Sequence, residues 1–356
     1  MNIFFDNIIF SLQKAGGVSN VWKELISIAL ANEEISCNFI EFKNFDKNIF
    51  RKNLTIDQEF ILKDTSPLIL NRYIPQKIKT NTKFIFHSSY YRICKNKCAS
   101  NVTTVHDFIY EYYRKGLPKF IHHQQKRIAV TNSDALICVS NNTKNDLLNF
   151  FPSISEDRVF VIHNGVSSDF NLLKNKEKPT LVQNLGKYAL YIGDRVQPHK
   201  NFRPIVDAIS RYSELKLVLV GGGEISESEY IVFNKKLKNR YFHYGSIDNI
   251  TLNILYNYAH VLIYPSEYEG FGIPIIEAQR AGCPVIAKKG SSITEVAQDS
   301  ALLMDIGDSE EISHKLFELE ESKTRNKLIN KGLINSQRFS WDKMAESVFN
   351  VYKSLQ

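Results

Sequence analysis

The feature that most constrains this chain is an alternation that runs almost its whole length. Short apolar runs of about four to eight residues are each followed by a longer stretch with apolar residues at helical spacing. Parallel strands joined by crossover helices read this way, so the spacing predicts an α/β fold. In the first half the expected strands are Ile3 to Phe10, Cys37 to Phe42, Phe84 to His87, Val102 to His106, Ala135 to Val139 and Val159 to Ile162. Helices are expected over Val18 to Ala31, Lys119 to Val130 and Asn142 to Phe151.

Between residues 164 and 187 the periodicity fades into a polar stretch with Gly, Pro and four lysines, and a new strand then opens at Tyr188. At 356 residues the chain is long enough for two cores. The expected organisation is therefore a first domain over 1–170, a linker over 171–187, a second domain over 188–338 and a terminal helix over 339–356. Strands of the second domain are expected at Tyr188 to Ile192, Leu215 to Val220, Tyr241 to Tyr244, Val261 to Tyr264 and Val285 to Ala287. Two doubly wound sheets, each binding at its carboxyl edge, would face one another across a cleft.

Composition narrows the functional classes. With 43% hydrophobic, 12% aromatic and 23% charged residues, the chain is neither disordered nor fibrous. Five cysteines, several inside apolar runs, read as reduced buried thiols of a cytoplasmic protein. Cys94 and Cys98 lack the second pair a zinc site would need. The N-terminus has no positive n-region, so it reads as a first strand and not as an export signal. No run approaches the roughly 18 apolar residues needed to span a bilayer, so membrane contact would be peripheral. The net charge of +7 lies wholly in residues 1–150, which hold 20 basic and 13 acidic side chains. That surplus suits an anionic partner such as phospholipid or a lipid-linked phosphate, and equally a solvated lysine-rich loop.

The most informative string is residues 261–287, which reads strand, loop, helix, turn, strand. Pro274 suits a first helical turn, and Gly270 and Gly272 let the loop backbone approach a ligand. The helix start offers free amides to an anion. Glu269 and Glu277 flank this turn and can reach into one crevice, although a solvated charge and a helix-dipole partner would look the same in isolation. In residues 191–202 a strand ends at Gly193, and Arg195 and Lys200 follow in the loop. Two such cations can neutralise a diphosphate, or simply solvate.

In the first half, residues 103–108 place His106 and Asp107 where a buried strand emerges. There His106 can orient a hydroxyl with Asp107 setting its position or tautomer, or serve as a structural histidine. Gly16 and Gly17 follow the first strand and open a helix, a place for close anion approach or a plain turn. Gly221, Gly222 and Gly223 lack the dinucleotide fingerprint, so no NAD site is expected. His122 and His123 read as a polar helix face. No D-x-D pair, Walker A, H-E-x-x-H or G-x-S-x-G string is present.

Taken together, GGVS, TTVHDF, ICVSNNTKNDL, VIHNGV, YIGDRVQPHKNF, EGFGIPIIEA and RFSWDKMAESVFNVYKSL occur in an order that resembles the retaining GT-B glycosyltransferases of family four, across essentially the whole chain. The resemblance implies two facing Rossmann-like domains, the nucleotide held mainly by the second and the acceptor by the first, with the final helix crossing back to the first. It implies that Arg195 and Lys200 grip the donor diphosphate, Glu277 the ribose and Glu269 the transferred sugar. His106 would sit beside that sugar, and the backbone of Gly16, Gly17, Gly270, Phe271, Gly272 and Ile273 would complete the donor pocket. It also implies base reading through backbone near Tyr244 to Ile247. The two cations would replace a metal, so none is expected.

GDR followed by HKNF, with the FSWDKMAESVF ending, is most similar to O-antigen and capsule transferases, often mannosyltransferases that use GDP-mannose. A UDP-sugar donor and a nucleotide-sugar epimerase of the same fold remain alternatives, as does a non-catalytic scaffold. The implied acceptor is a glycan or a polyprenyl-diphosphate-linked oligosaccharide at the inner membrane face, with no nucleic acid partner.

Overall fold

In the computed structural model, which describes residues 1–174 and 178–356, the chain forms two units. Residues 1–165 and 340–356 make the first and residues 166–339 the second. Residues 175–177 of the expected linker lie outside the described residues.

The first unit is built on a seven-stranded sheet with every neighbouring pair parallel. Its strands are β1 (Asn2–Asp6), β2 (Ser36–Phe42), β3 (Ile61–Asp64), β4 (Phe84–Ser88), β5 (Ala99–Val105), β6 (Ala135–Cys138) and β7 (Val159–Val161), in the spatial order β3-β2-β1-β4-β5-β6-β7. Helices α1 (Ile8–Leu12), α2 (Gly17–Leu30), α3 (Leu68–Asn71), α4 (Ile109–Tyr113), α5 (Gly116–Thr131) and α6 (Asn141–Phe150) connect them.

The expected first strand was too long. It stops at Asp6, and Ile8, Ile9 and Phe10 turn into α1. All three are buried there, so a helix apolar on every side mimics a strand in sequence. Asn7 is the pivot: buried, it accepts from Trp22 Nε1 at 2.8 Å and donates to Glu41 at 3.1 Å. The glycine pair therefore follows a short helix and not the strand itself.

The second unit holds a six-stranded parallel sheet in the order β10-β9-β8-β11-β12-β13. Its strands are β8 (Tyr188–Ile192), β9 (Lys216–Val220), β10 (Tyr241–Tyr244), β11 (Val261–Tyr264), β12 (Val285–Lys288) and β13 (Leu302–Met304). The helices are α7 (Thr180–Gln183), α8 (Arg203–Ser210), α9 (Glu227–Lys236), α10 (Asn249–Tyr258), α11 (Ile273–Arg280), α12 (Ser291–Ala297), α13 (Ser309–Glu318) and α14 (Ser322–Ser336). One face of this sheet packs Ala189, Leu217, Leu219, Val261 and Ile263 against Ile205, Ile209, Phe233 and Ile312. The edge strands β3 and β13 were not among the expected strands.

The last helix, α15 (Trp341–Ser354), belongs to the first unit and packs against α2. Tyr352 is hydrogen-bonded through its hydroxyl to Nδ1 of His87 on β4, and His87 Nε2 meets Thr104 Oγ1 at 2.9 Å. Burial pushes the His87 pKa down to about 3, so its ring is neutral and bonded on both sides. Gly165 has a steric reason: a Cβ there would collide with the backbone of Ser340 and Trp341. No helix among the described residues is long and apolar enough to cross a membrane.

Candidate functional site

In the second unit β8 lies between β9 and β11, so the connections leaving β8 and β11 diverge and open a crevice at their carboxyl ends. Lys200 comes from the first of these loops and Glu269 from the second. They meet as an ion pair, Nζ to Oε1 2.6 Å, although 69 residues apart. Both side chains are mostly buried, and Lys200 also lies 5.9 Å from the Tyr264 ring centroid. Burial opposes ionisation of Glu269, but the Lys200 ammonium, with Ser266 and His199 beside it, outweighs that and holds the carboxyl below its usual range.

The backbone around Glu269 is fixed by residues the sequence reading missed. Its amide donates to Ser291 Oγ at 3.1 Å, while Ser292 Oγ donates to the carbonyls of Glu269 at 2.8 Å and Phe271 at 3.0 Å. The serines follow Gly290 at the end of β12, the same strand, glycine, helix pattern that singled out the other loops. Gly270, Phe271, Gly272 and Ile273 then carry the chain into α11. Gly272, at φ 99°, is the N-cap, a conformation open mainly to glycine, and Pro274 sits in the first turn.

Glu277 lies one turn further along α11. Its Oε2 accepts from Tyr256 at 2.9 Å, and the same hydroxyl contacts Pro274 O at 3.3 Å. Burial pushes its pKa up to about 7, with the Tyr256 bond acting the other way. This carboxyl is poised to ionise near neutrality when hydroxyls are offered to it. Tyr256, from the buried face of α10, is the second group the motif reading overlooked.

Arg195 requires a correction. It was expected as an open cation beside Lys200, but its side chain is 1% exposed and committed elsewhere. Nε donates to Glu229 at 2.7 Å, Nη1 to Gly221 O at 2.9 Å, and Nη2 to Gly223 O and Glu224 O, each at 3.1 Å. Four of its five N–H groups are thus used within the unit. Arg195 braces a turn in which Gly221, Gly222 and Gly223 all have φ near +73°. That turn in turn holds the end of β10, because the Gly221 amide donates to Tyr244 O at 3.0 Å and Gly245 O at 3.2 Å. The backbone near Tyr244 to Ile247, expected to read a base, therefore rests on Arg195.

In the first unit, His106 is the first residue after β5. Its Nε2 is buried without a partner, and burial lowers the pKa to about 4, with Asp107 raising it and Lys126 lowering it. The ring is neutral, with one polar atom uncommitted. Asp107 does not orient it through a hydrogen bond, as had been expected. Its Oδ1 accepts from the Ile109 amide at 3.0 Å at the start of α4, and its carbonyl accepts from Lys126 Nζ at 2.8 Å. Lys126 is fully buried and paired with Glu111 at 2.8 Å. It was not foreseen, since a single lysine on a helix normally solvates.

The expectation that His122 is only surface polarity is also revised. It is buried, 3.0 Å from Tyr90 Oη and 3.6 Å from Glu111. Gly16 and Gly17 begin α2 in a loop pinned by Asn48 Nδ2, which donates to Gln13 O at 2.8 Å and Ser19 Oγ at 3.0 Å. Among the described residues no group of three His, Cys, Asp or Glu side chains is placed to hold a metal ion.

Comparison with known proteins agrees with this layout. Residues 174–333 match the family model of glycosyl transferases group 1, and residues 61–170 match that of glycosyltransferase family 4. O-antigen chain mannosyltransferase B of Escherichia coli is 26% identical over 288 residues, covering 76% of this chain and 74% of that protein. The O-antigen chain mannosyltransferase RfbU of Salmonella typhimurium is 26% identical over 252 residues, covering 69% and 67%. Among solved structures, sucrose-phosphate synthase of Thermosynechococcus elongatus superposes with a TM-score of 0.74 at 16% identity over 100% of this chain and 99% of that one. Anabaena HepE in complex with UDP and glucose gives 0.73 at 17% over 99% of each. At such identities the structural likenesses speak to the fold.

Proposed function

Because the chain belongs to the glycosyltransferases of family four, we propose that it moves a hexose from a nucleoside diphosphate sugar to a glycan or lipid-diphosphate-linked acceptor, in the synthesis of a bacterial surface polysaccharide. The transfer proceeds with retention of configuration and without a metal ion. The observation that carries this reading is the Lys200–Glu269 pair at the switch point of the second sheet, in the loop that leads into α11, which carries Glu277 one turn from its start.

Each residue has a task in this reading. Lys200 neutralises the diphosphate as the anomeric bond breaks, and its pairing with Glu269 holds the ammonium in place beforehand. Glu269 and the amides of Gly270 to Ile273 engage the sugar and the phosphate. Glu277, held by Tyr256, accepts the ribose hydroxyls. Arg195 acts one step back, by keeping the turn at residues 221–224 against the end of β10. In the first unit the neutral His106 offers its uncommitted Nε2 to a sugar or acceptor hydroxyl. Mannose from GDP-mannose is the favoured donor, supported by the two mannosyltransferase relatives.

A thermal-shift panel with GDP, UDP, ADP, CMP and NAD tests this reading. A ligand that binds only the folded state stabilises it by about 2.7 kcal/mol at one hundred times its Kd. GDP is expected to give the largest rise. A selective rise with UDP moves the donor to UDP-sugars, and a rise with NAD alone overturns the transferase site. Activity is also expected to persist in excess EDTA; full loss restored by magnesium overturns the metal-free reaction.

A further inference from the structure

Lys126 lies within α5 with its side chain fully buried, a costly place for an ammonium. Its Nζ donates to Glu111 Oε2 and to Asp107 O, each at 2.8 Å, and stands 4.0 Å from the Phe108 ring centroid and 5.3 Å from that of Tyr91. Burial opposes ionisation of Glu111, but His122 and Lys126 outweigh it and hold that carboxyl down to about 2. A carboxylate therefore stays beside the ammonium. A buried ion pair adds little to stability that two apolar side chains of the same size would not. What this pair has besides is the bond to Asp107 O, one residue past His106, where β5 gives way to α4.

Other contacts converge on the same stretch. The Tyr91 hydroxyl takes a hydrogen bond from the His106 amide. Tyr91 has φ 48°, a left-handed conformation that a bulky residue keeps only where its surroundings impose it. The Asp107 carboxylate accepts from the Ile109 amide, and its carbonyl accepts from Lys126. His106 is thus held through its main chain, while its Nε2 is buried and unpartnered. The titratable groups that face its ring are Asp107 and Lys126 and, from β4, the neutral His87. Those that face Lys126 are Glu111 on α4, Asp107 and, from α6, Asp146. Like charges repel, so the ammonium opposes protonation of the ring. A protonated ring only donates, whereas a neutral one keeps an acceptor nitrogen.

We propose that Lys126, held in its charged form by Glu111, is a positioning residue for His106: its ammonium fixes the main chain just past the histidine and disfavours a second positive charge on the ring. The proposal rests on the reading in which His106 meets a sugar or acceptor hydroxyl. Neither Lys126 nor Glu111 touches substrate; both act through His106.

The test follows the ring of His106 by NMR across a pH titration of the whole chain labelled at histidine, with His106→Gln to assign the signal. In the unmutated chain the ring is expected to stay neutral down to about pH 5, since its pKa lies at about 4. Lys126→Met with Glu111→Gln removes both charges, and Lys126→Gln removes one while leaving an amide to donate to Asp107 O. Each is expected to raise the His106 midpoint by roughly one pH unit. The double variant is also expected to lower kcat roughly tenfold with the donor KM little changed. In a His106→Gln background the same double change is expected to cost nothing further. Melting of each variant is followed over the same pH range, so that only folded chains are compared. An ordinary midpoint near 6.5 in the unmutated chain overturns the proposal, as does a midpoint unmoved in a folded variant or an equal loss of kcat with and without His106. Undiminished transfer by His106→Gln instead overturns the reading beneath it, and the two failures are told apart because the ring titrates without turnover.

Discussion

Burial holds the Glu277 carboxyl up to about 7 from an ordinary 4.5, so the folded chain keeps a proton that the unfolded chain loses between those values. Stability therefore falls as pH rises through that window, and the whole cost, on the order of 3 kcal/mol, is present above it. Glu277→Gln retains an acceptor for Tyr256 and is expected to raise the melting temperature of the ligand-free protein more at about pH 8 than at about pH 5. The same variant weakens nucleoside diphosphate binding; an equal melting change at both pH values rejects the assignment. Lys200→Ala leaves Glu269 without its cation and is expected to lower kcat by about 100-fold or more if the ammonium stabilises the leaving diphosphate. Steady-state transfer assays check this, and near-normal turnover removes Lys200 from the reaction.

The loops that leave the strands are held by groups whose part is to brace, and these are the least visible in sequence. Three consecutive glycines with φ of 72°, 74° and 73° form a turn that side chains disfavour, and a Cβ at Gly222 would stand 2.5 Å from Gly193 O. Gly222→Ala is expected to cost on the order of 2 kcal/mol or more in chemical denaturation. Arg195→Met separates the two roles of that side chain. A bracing arginine takes its donors from the Gly223 and Glu224 carbonyls and from Glu229 Oε1 when removed, so stability falls by about 3 kcal/mol together with nucleotide binding. If stability is kept and kcat alone collapses, Arg195 instead meets the diphosphate as the family resemblance implies. Among the secondary elements themselves, most strands were legible from period and apolar runs. Beside the unexpected β3 and β13, Ile8 to Phe10 reads as strand and folds as helix because complete burial erases the difference between a helical and an extended pattern.

At the scale of the whole molecule, the chain returns to its first unit through α15, whose buried face runs from Trp341 to Tyr352 and is latched by the Tyr352 hydroxyl. Tyr352→Phe leaves His87 Nδ1 buried without its partner and is expected to cost about 1–3 kcal/mol in the unfolding of the first unit. An unchanged denaturation midpoint rejects that latch. The sequence by itself determined the α/β class, the order of the main strands, the family and the loops in which chemistry would lie, because each depends on spacing within a few residues or on contiguous strings. Only the tertiary structure decided which charges in those loops are open. Lys200 and Arg195 are five positions apart and alike in sequence, but one faces a carboxylate 69 residues away across a crevice and the other is closed by three carbonyls of the next strand's turn and by Glu229 of α9. The buried polar side chains of α5, His122, Gln125 and Lys126, have the same cause. Its helical period was plain, but which of two stripes faces the core depends on Glu111 and on strands remote in the chain, and no local pattern records a partner that only folding brings near.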